Sequence, residues 1–428
     1  MNNQSISSSI NPKITTRANS LLLSPIGLVL LGIVLLWAAW SELTVIAVIA
    51  GLAVSTAGLA RLWSYLALKN LKGESSFGDL RVFPGDSIEL KMRLVNRKIL
   101  PLPWVEISEE IPIGFLSQEK AAESDHAGFE RIVRSSPLLW YSAMSWKCSL
   151  YCRKRGYYKL GPLSVTTGDI FGFYPRTLIE PHEDHLIVYP RLFNIEHLAL
   201  PAAYPLGEVL AEKRLFEDPS RAVGVRDYSP GDSLRRIHWK ASARQQRLQV
   251  KVFESTTTLK VALFLAADSF QMQGINLEDE LETGISTAAS LANHLIEKKS
   301  QVGLYTNSRQ ADSGLPARVA PGSTADRLIE ILEALAKVTP VSYQSFPEFF
   351  QSEREHLPAG TSLIFIISQV SAELKTTLLA ARNSGYKTLV IQTSETSGSD
   401  CLPDIPWYKV NAAGQIQKTH SGENYAGY

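Results

Sequence analysis

"LKVALFLAADSFQMQ", residues 259–273, decides the fold of the C-terminal half of the chain. Residues 259–267 form a nearly continuous apolar run, which is typical of a strand buried on both faces of a sheet. More buried strands are predicted at 301–306, 362–368 and 387–393. Apolar residues at helical spacing predict intervening helices at 281–296, 323–338 and 371–385. Alternating strands and helices predict a doubly wound α/β domain with a mainly parallel sheet.

The ends of the predicted helices carry capping signals. Ser323 is the expected N-cap of the second helix, because serine hydroxyls accept hydrogen bonds from the first free backbone amides. Gly385 follows the third helix, where glycine readily takes the left-handed conformation that ends a helix. Both signals support the predicted helix boundaries.

In a sheet of this kind, ligands bind at the carboxyl ends of the strands. Asp268 and Ser269 follow the first strand, where a von Willebrand A-type domain would carry an Asp-x-Ser-x-Ser metal loop. Here Phe270 and Met272 occupy the two serine positions, and Gln369 follows the third strand where an aspartate would be expected. Because Mg²⁺ requires several oxygen ligands, we interpret the loop as degenerate and expect neither a metal nor a cofactor.

The segment before this domain, residues 221–254, reads "RAVGVRDYSPGDSLRRIHWKASARQQRLQVKVFE". Residues 228–233 predict a turn fixed by Asp232. Residues 234–243 are compatible with a short helix capped by Asp232 or Ser233, and 247–254 alternate like a strand with one solvent-facing side.

Charge is concentrated in this segment. Residues 226–251 contain seven basic and two acidic side chains, whereas the whole chain has a net charge of +1. Such clustering attracts anions or an acidic partner. Alternatively, the arginines pair with the aspartates while His238 and Trp239 pack between domains. The candidate binding residues are Arg226, Tyr228, Gly231, Asp232, Arg235, Arg236, His238, Trp239 and Arg244.

Residues 80–189 have the period-two alternation of β-strands. "SIELKMRLVN" (87–96) and "PWVEISEEIP" (103–112) are predicted strands, and 144–174 predict three strands with turns at Gly156 and at 161–162. Short strands at this spacing indicate a β-sandwich or small barrel. We expect 114–130 to be a long polar loop. His182 and His185 in "PHEDH" could bind a metal, although a solvated turn is the simpler interpretation.

Two uncharged apolar stretches, 21–40 and 43–60, lie near the N-terminus. Each is close to the ~20 residues that a membrane-spanning helix needs. The first is too long and too closely followed by another span to be a signal peptide. Only Ser41 and Glu42 separate them, so they predict a tight hairpin. Basic residues flank both outer ends, which places those ends and everything after Arg61 in the cytoplasm.

The predicted organisation has five parts, including a disordered cytoplasmic tail at the N-terminus. They are the tail at 1–20, the transmembrane hairpin at 21–63, a β-rich domain at 73–200, the basic segment at 201–254 and the α/β domain at 255–428. This arrangement predicts a multi-pass protein of the inner (plasma) membrane. The balanced charge argues against a dedicated nucleic-acid-binding protein. Three cysteines, with Cys148 and Cys152 too far apart on one strand to pair, imply no disulfide framework.

The basic segment, with "RGYYKLGP" and "GDIFGFY" upstream of it, resembles the bacterial family called domain of unknown function 58. The hairpin followed by "VFPGDSIEL" is similar to the same family, so the resemblance extends from about Leu21 onward. It implies a tethered β-domain followed by a von Willebrand A-like domain. The family is associated with MoxR-type AAA+ ATPases, which implies an adaptor or assembly role toward such an ATPase or its client proteins.

Two functional hypotheses follow, and a third concerns lipid. The first is a non-enzymatic, membrane-anchored adaptor, which should pack His238 and Trp239 and expose the arginines. The second is a hydrolase with His238 as general base and Asp232 orienting it, which should place His238 in a solvent-facing pocket beside a carboxylate. No Gly-x-Ser-x-Gly, phosphate-loop or His-Glu-x-x-His motif supports catalysis. In the third, the basic segment lies against anionic lipid.

Overall fold

The fold is described from a computed structural model of the chain. The described residues are 13–16, 25–116, 122–124, 126–180, 184–193, 217–227, 237–255, 259–271, 277–358, 360–393, 402, 405–411 and 414–420. The chain divides into two compact units, residues 1–189 (unit 1) and 190–428 (unit 2).

Unit 1 begins with an antiparallel pair of apolar helices, α1 (Pro25–Trp40) and α2 (Thr44–Ala67). Among the described helices, α2 alone has the length and hydropathy of a membrane span, and α1 is a shorter apolar helix. The second predicted span, 43–60, lies almost entirely within α2, which continues through Arg61 to Ala67. These last turns are held in place because Ala67 is buried in the hydrophobic core of unit 1 and the buried Ser64 donates to the carbonyl of Tyr174.

Twelve described strands form the rest of unit 1, in three sheets. They are β1 (Lys13–Thr16), β2 (Leu71–Phe77), β3 (Arg81–Val82), β4 (Ser87–Asn96), β5 (Leu102–Pro112), β6 (Ala122–Glu123), β7 (Phe129–Leu138), β8 (Ala143–Tyr151), β9 (Gly156–Leu160), β10 (Leu163–Thr167), β11 (Arg176–Glu180) and β12 (Asp184–Val188). The sheet orders are β1-β11-β10-β5-β7-β6, β2-β4-β8 and β3-β12-β9. Their inward-facing side chains share one hydrophobic core.

Three local expectations for unit 1 need correction. The predicted tail contains β1, because the free edge of β11 pairs with Lys13–Thr16; the remainder of 1–20 lies outside the described residues. The predicted loop at 114–130 contains β6 and the start of β7, because both extend the sheet beside β5. Gly156 begins β9, so the turn lies just before it. Cys148 and Cys152 are buried free thiols.

Unit 2 contains a two-stranded ribbon and a larger sheet. The ribbon pairs β13 (Glu217–Asp227) with β14 (Gln249–Ser255), and helix α3 (Trp239–Gln245) lies between them in sequence. The sheet strands are β15 (Lys260–Leu265), β16 (Gln301–Gln310), β17 (Pro316–Gly322), β18 (Val338–Ser342), β19 (Ser362–Ile367), β20 (Thr388–Gln392), β21 (Trp407–Val410) and β22 (Ile416–His420). The other helices are α4 (Leu277–Glu297), α5 (Ala325–Ala336), α6 (Phe346–Arg354) and α7 (Ala372–Asn383).

The strand order β17-β16-β15-β19-β20-β21-β22 positions the cleft described below. Strands β16, β15, β19, β20 and β21 are mutually parallel, and β17 and β22 are antiparallel edges. Thr324 caps α5 in place of the predicted Ser323, because its side chain accepts from the amide of Arg327. Gly385 has a φ of +84° just after α7, as predicted.

Candidate functional site

A cleft of about 190 Å³ opens at the carboxyl ends of β15 and β19. These adjacent strands are parallel, and their outgoing connections lead to strands on opposite sides of the sheet. This is the switch point where ligands bind in open α/β sheets. The lining residues are Asp268, Ser269, Phe346, Pro347, Gln369, Ser371, Glu373 and Leu374.

The polar groups at the base of this cleft are bonded within the fold. Asp268 Oδ2 accepts from the amide of Phe346 at 2.7 Å, which fixes the start of α6. Ser269 Oγ donates to the carbonyl of Ala266 at 2.6 Å and accepts from the amide of Ser368 at 3.0 Å. These bonds join β15 to β19 at the cleft.

The metal loop of a von Willebrand A-type domain does not fit these residues. Phe270 is 3% exposed and packs beside Gly284 of α4, so it supplies no oxygen ligand. Ser368 Oγ donates to Glu280 Oε2, and Ser269 is engaged as above. Within the described residues, no three His, Cys, Asp or Glu side chains converge on one metal-sized site. Met272 lies outside the described part of the chain.

A second candidate site is the ribbon with α3. His238 N donates to the carbonyl of Gln249 at 2.8 Å, and the amide of Gln249 donates to Ser242 Oγ at 2.9 Å. Gln249 Nε2 donates to Asp227 Oδ1 across the ribbon. Ser242 and Gln249 are buried, so this network fixes α3 to β14.

Helix α3 starts five residues later than predicted. Its N-cap is His238, whose Nδ1 accepts from the amide of Ala241 at 3.1 Å, and not Asp232 or Ser233. The helix begins here because the His238–Gln249 backbone bond holds His238 beside β14 in a non-helical conformation, with φ −91° and ψ 82°. Candidate residues Tyr228, Gly231, Asp232, Arg235 and Arg236 lie outside the described residues, as does the side chain of Arg226.

The exposed surface of α3 carries one aromatic and two basic residues. Trp239 is 69% exposed, so the expectation that it packs is wrong; the helix buries Ser242 and turns Trp239 outward. Lys240 and Arg244 are exposed and four residues apart, which places them on one helix face. The helix sequence WKASARQ contains no acidic residue. Trp239, Lys240 and Arg244 are hereafter called the α3 face.

His238 is half-buried and already used as a cap. A neutral imidazole has one acceptor nitrogen, and here that nitrogen is Nδ1. To act as a general base, His238 would have to release the amide of Ala241. The geometry therefore favours a structural role for this side chain.

Most of unit 2 matches a known protein family. Residues 224–418 match the family described as "Protein of unknown function DUF58". The DUF58 match starts within β13 and ends within β22, so it contains the α3 face and the cleft.

The chain is also similar to a curated bacterial protein. It is 26% identical over 249 residues to "Uncharacterized protein YeaD" of Bacillus subtilis (strain 168). The match covers 58% of this chain and spans 58% of that relative's length. Like DUF58, this relative is described without a function.

Solved structures give only weak likenesses. Spo0M, a sporulation control protein from Bacillus subtilis, is 10% identical with a TM-score of 0.16, over 28% of this chain and 50% of that one. A beta-glucosidase from Listeria innocua is 9% identical with a TM-score of 0.18, over 28% of this chain and 16% of that one. TM-scores this low establish no shared fold.

Sequence reasoning missed several residues of both sites. Ser242 and Gln249 were not singled out, although a serine within a short basic helix and a glutamine soon after its end are a weak signal of a network that fixes the helix. Phe346 and Glu373 join the cleft only through folding, because they lie 78 and 105 positions after Asp268 in the sequence. At the predicted "PHEDH" site, His182 lies outside the described residues, and the ring of His185 stacks on Tyr157 with centroids 5.0 Å apart.

Proposed function

We propose that this protein is a membrane-anchored cytoplasmic adaptor that binds an acidic protein partner through the α3 face. The resemblance noted in the sequence supplies the partner class: a MoxR-type AAA+ ATPase or one of its clients. In this proposal α1 and α2 span the inner membrane, unit 1 is a sandwich-like tether, and unit 2 is a von Willebrand A-like domain that works without a metal.

The connection of the helices to unit 1 supports the anchor. Strand β1 precedes α1 and strand β2 follows α2, and both belong to unit 1. The two outer ends of the helical pair therefore return to one body. This is what a transmembrane hairpin with a single cytoplasmic domain requires, and the flanking basic residues favour the cytoplasmic side.

The α3 face carries the adaptor proposal, and it does so through an exposed Trp239, which is the reverse of the packed ring that we expected of an adaptor. Trp and Arg are enriched among the residues that dominate protein–protein binding energy. Here the Trp239 ring is exposed on a short helix that also exposes Lys240 and Arg244 and that is fixed by buried hydrogen bonds. A rigid, exposed aromatic residue with basic neighbours is suited to an acidic surface that has an apolar pocket. The His238 cap makes the hydrolase alternative the weaker one.

The order of the sheet supports the fold assignment. With β18 left out, because it pairs with β16 and lies off the main order, the strands from β17 to β21 numbered along the chain follow the order 3-2-1-4-5-6, with the third antiparallel to its neighbour. The cleft lies at the switch point of this order, where a von Willebrand A-type domain carries its metal loop. Phe270 is buried and offers no oxygen ligand, and the hydroxyl of Ser269 already accepts from the amide of Ser368. Both observations favour a domain that binds its partner without a metal ion.

The test is binding of the full chain in lipid nanodiscs to the purified MoxR-type ATPase of the same bacterium. Trp239→Ala should weaken binding by roughly 30-fold, since a central aromatic contact contributes about 2 kcal/mol or more. Ile329→Ala, an exposed apolar position on α5, is the matched control and should bind normally. Absence of binding by the wild type, with and without ATP, would contradict the proposed partner. Unchanged binding by Trp239→Ala would contradict the proposed face.

A further inference from the structure

We infer that unit 1 rests on the bilayer surface through a ring of exposed apolar side chains at the end from which the helical pair leaves. This apolar rim consists of Ile99, Leu139, Trp140, Tyr141, Ile170 and Phe171, each between 56% and 77% exposed. The partner is the interfacial region of an anionic lipid bilayer. The inference rests on the proposed membrane anchoring, and it adds a second, peripheral contact with lipid.

The strand register places the rim residues at one end of unit 1. Leu71 begins β2 just after α2, and it pairs with Asn96 at the end of β4. Val95 pairs in turn with Ala143 at the start of β8. The links 97–101 and 139–142, which carry four rim residues, therefore lie at the end of this sheet where α2 enters.

The six-stranded sheet brings the other two rim residues to the same end. Strand β5 starts at Leu102, directly after the 97–101 link. Thr167 at the end of β10 pairs with Val105 near that start, and also with Arg176 at the beginning of β11. The loop 168–175, which carries Ile170 and Phe171, consequently projects from this end.

The loop 168–175 is held rigid by a buried carboxylate. Asp169 is fully buried; its Oδ2 accepts from the amide of Phe171 at 3.0 Å and its Oδ1 accepts from the amide of Tyr174 at 2.7 Å. Gly172, at a φ of +68°, completes the turn, and the rings of Phe171 and Phe173 stack at 5.3 Å. The fold thus maintains two large apolar side chains in an exposed position, which marks an interaction site.

Direct contacts connect the rim to α2. Ser64 Oγ donates to the carbonyl of Tyr174 at 2.5 Å, so the 168–175 loop is attached to the last turns of the helix. On the other side, Lys98 Nζ donates to the carbonyls of Ala67 and Lys69. Because the rim is fixed to the end of an apolar 24-residue helix, a bilayer that holds the helix also meets the rim.

The aromatic and basic residues around the apolar rim fit a lipid interface better than a protein surface. The ring of Tyr65 lies beneath Lys69 Nζ at 4.5 Å and beside the Arg176 guanidinium at 5.3 Å. Tyr and Trp concentrate at membrane interfaces, and basic residues there attract anionic headgroups. In the three rim loops the one acidic residue is the buried Asp169.

The test is depth-resolved fluorescence quenching of the full chain in nanodiscs of phosphatidylethanolamine and phosphatidylglycerol. An environment-sensitive NBD label is attached at Phe171→Cys in a Cys401→Ser background, since Cys148 and Cys152 are buried. The matched control is Ile113→Cys, which is equally exposed but follows the far end of β5. Leu52→Cys, exposed on α2, reports insertion of the helix.

We expect a nitroxide on the lipid headgroup to quench the label at 171, with blue-shifted emission, and to leave the label at 113 unquenched. The label at 52 should be quenched by a nitroxide deep in the acyl chains. Equal quenching at 171 and 113, with 52 quenched, would overturn the rim while leaving the anchor intact. An unquenched label at 52 would overturn the anchor and the rim together.

Discussion

At the scale of single residues, Glu109 is the least expected feature of unit 1. It is fully buried, and neither carboxyl oxygen has a hydrogen-bonding partner among the described residues. Burial, with the Ser75 hydroxyl acting in the opposite direction and the nearby charges of Asp184 and Glu110 adding to it, raises the pKa of Glu109 to about 8. The alternation of 103–112 predicts that one face of this strand is exposed to solvent. In the structure β5 lies between β10 and β7, and its side chains beyond Ile107 are buried on both faces of the sheet.

The stability of unit 1 should fall as the pH rises from about 4.5 to about 8. Over this range the folded state keeps a proton on Glu109 that the unfolded state releases. The free energy of unfolding therefore falls by up to about 1.4 kcal/mol per pH unit. Glu109→Gln should remove this slope, and Glu106→Gln on the same strand should keep it. Hydrogen exchange of the β5 amides between pH 5 and 8 measures the free energy of unfolding. If Glu109→Gln kept the same dependence of this free energy on pH, Glu109 would not be the group responsible.

At the scale of elements, the sequence predicted the strands and helices in which apolar residues recur at the spacing of the buried face. Strand β4 coincides with the predicted 87–96, and its side chains alternate between buried and exposed. Strand β17 was missed because Pro316 and Pro321 are strand breakers elsewhere, yet an edge strand tolerates them. The start of α3 was misplaced because its cap depends on Gln249, which only the folded ribbon brings near.

Ser242→Ala should loosen α3 from the ribbon. The substitution leaves the buried amide of Gln249 without its acceptor, which costs about 1–3 kcal/mol. Exchange of the Gln249 amide should accelerate accordingly. Ala243→Ser, at an exposed position of the same helix, is the control and should exchange like the wild type. Unchanged exchange in Ser242→Ala would show that the hydroxyl does not fix the helix.

The cleft should not bind divalent cations. Phe270 supplies no ligand and Ser269 is bonded to the backbone, so Mg²⁺ or Mn²⁺ should leave the Tm of the full chain unchanged. A specifically bound ion would stabilise the fold by about 2.7 kcal/mol at a hundredfold excess over Kd. A saturable rise in Tm with either metal would mean that the loop still binds one.

At the scale of the whole molecule, the sequence predicts a membrane-tethered protein of five parts, and the DUF58 match covers residues 224–418 of unit 2. The return of both helix ends to unit 1 depends on β1, a strand that composition alone would class as tail.

In the proposed topology, a tag at the C-terminus should resist protease added outside intact cells and become sensitive after lysis. Digestion without lysis would contradict the cytoplasmic assignment.

The adaptor claim is tested most directly by crosslinking in native membranes. A photoreactive amino acid replaces Trp239 on the α3 face, and the matched control replaces Leu315, an exposed apolar residue elsewhere in unit 2. After irradiation, the adduct is identified by mass spectrometry. We expect a MoxR-type ATPase or a substrate of that ATPase to be crosslinked at position 239, and neither to be crosslinked at position 315. The same adducts at both positions, or no such adduct at 239, would contradict it.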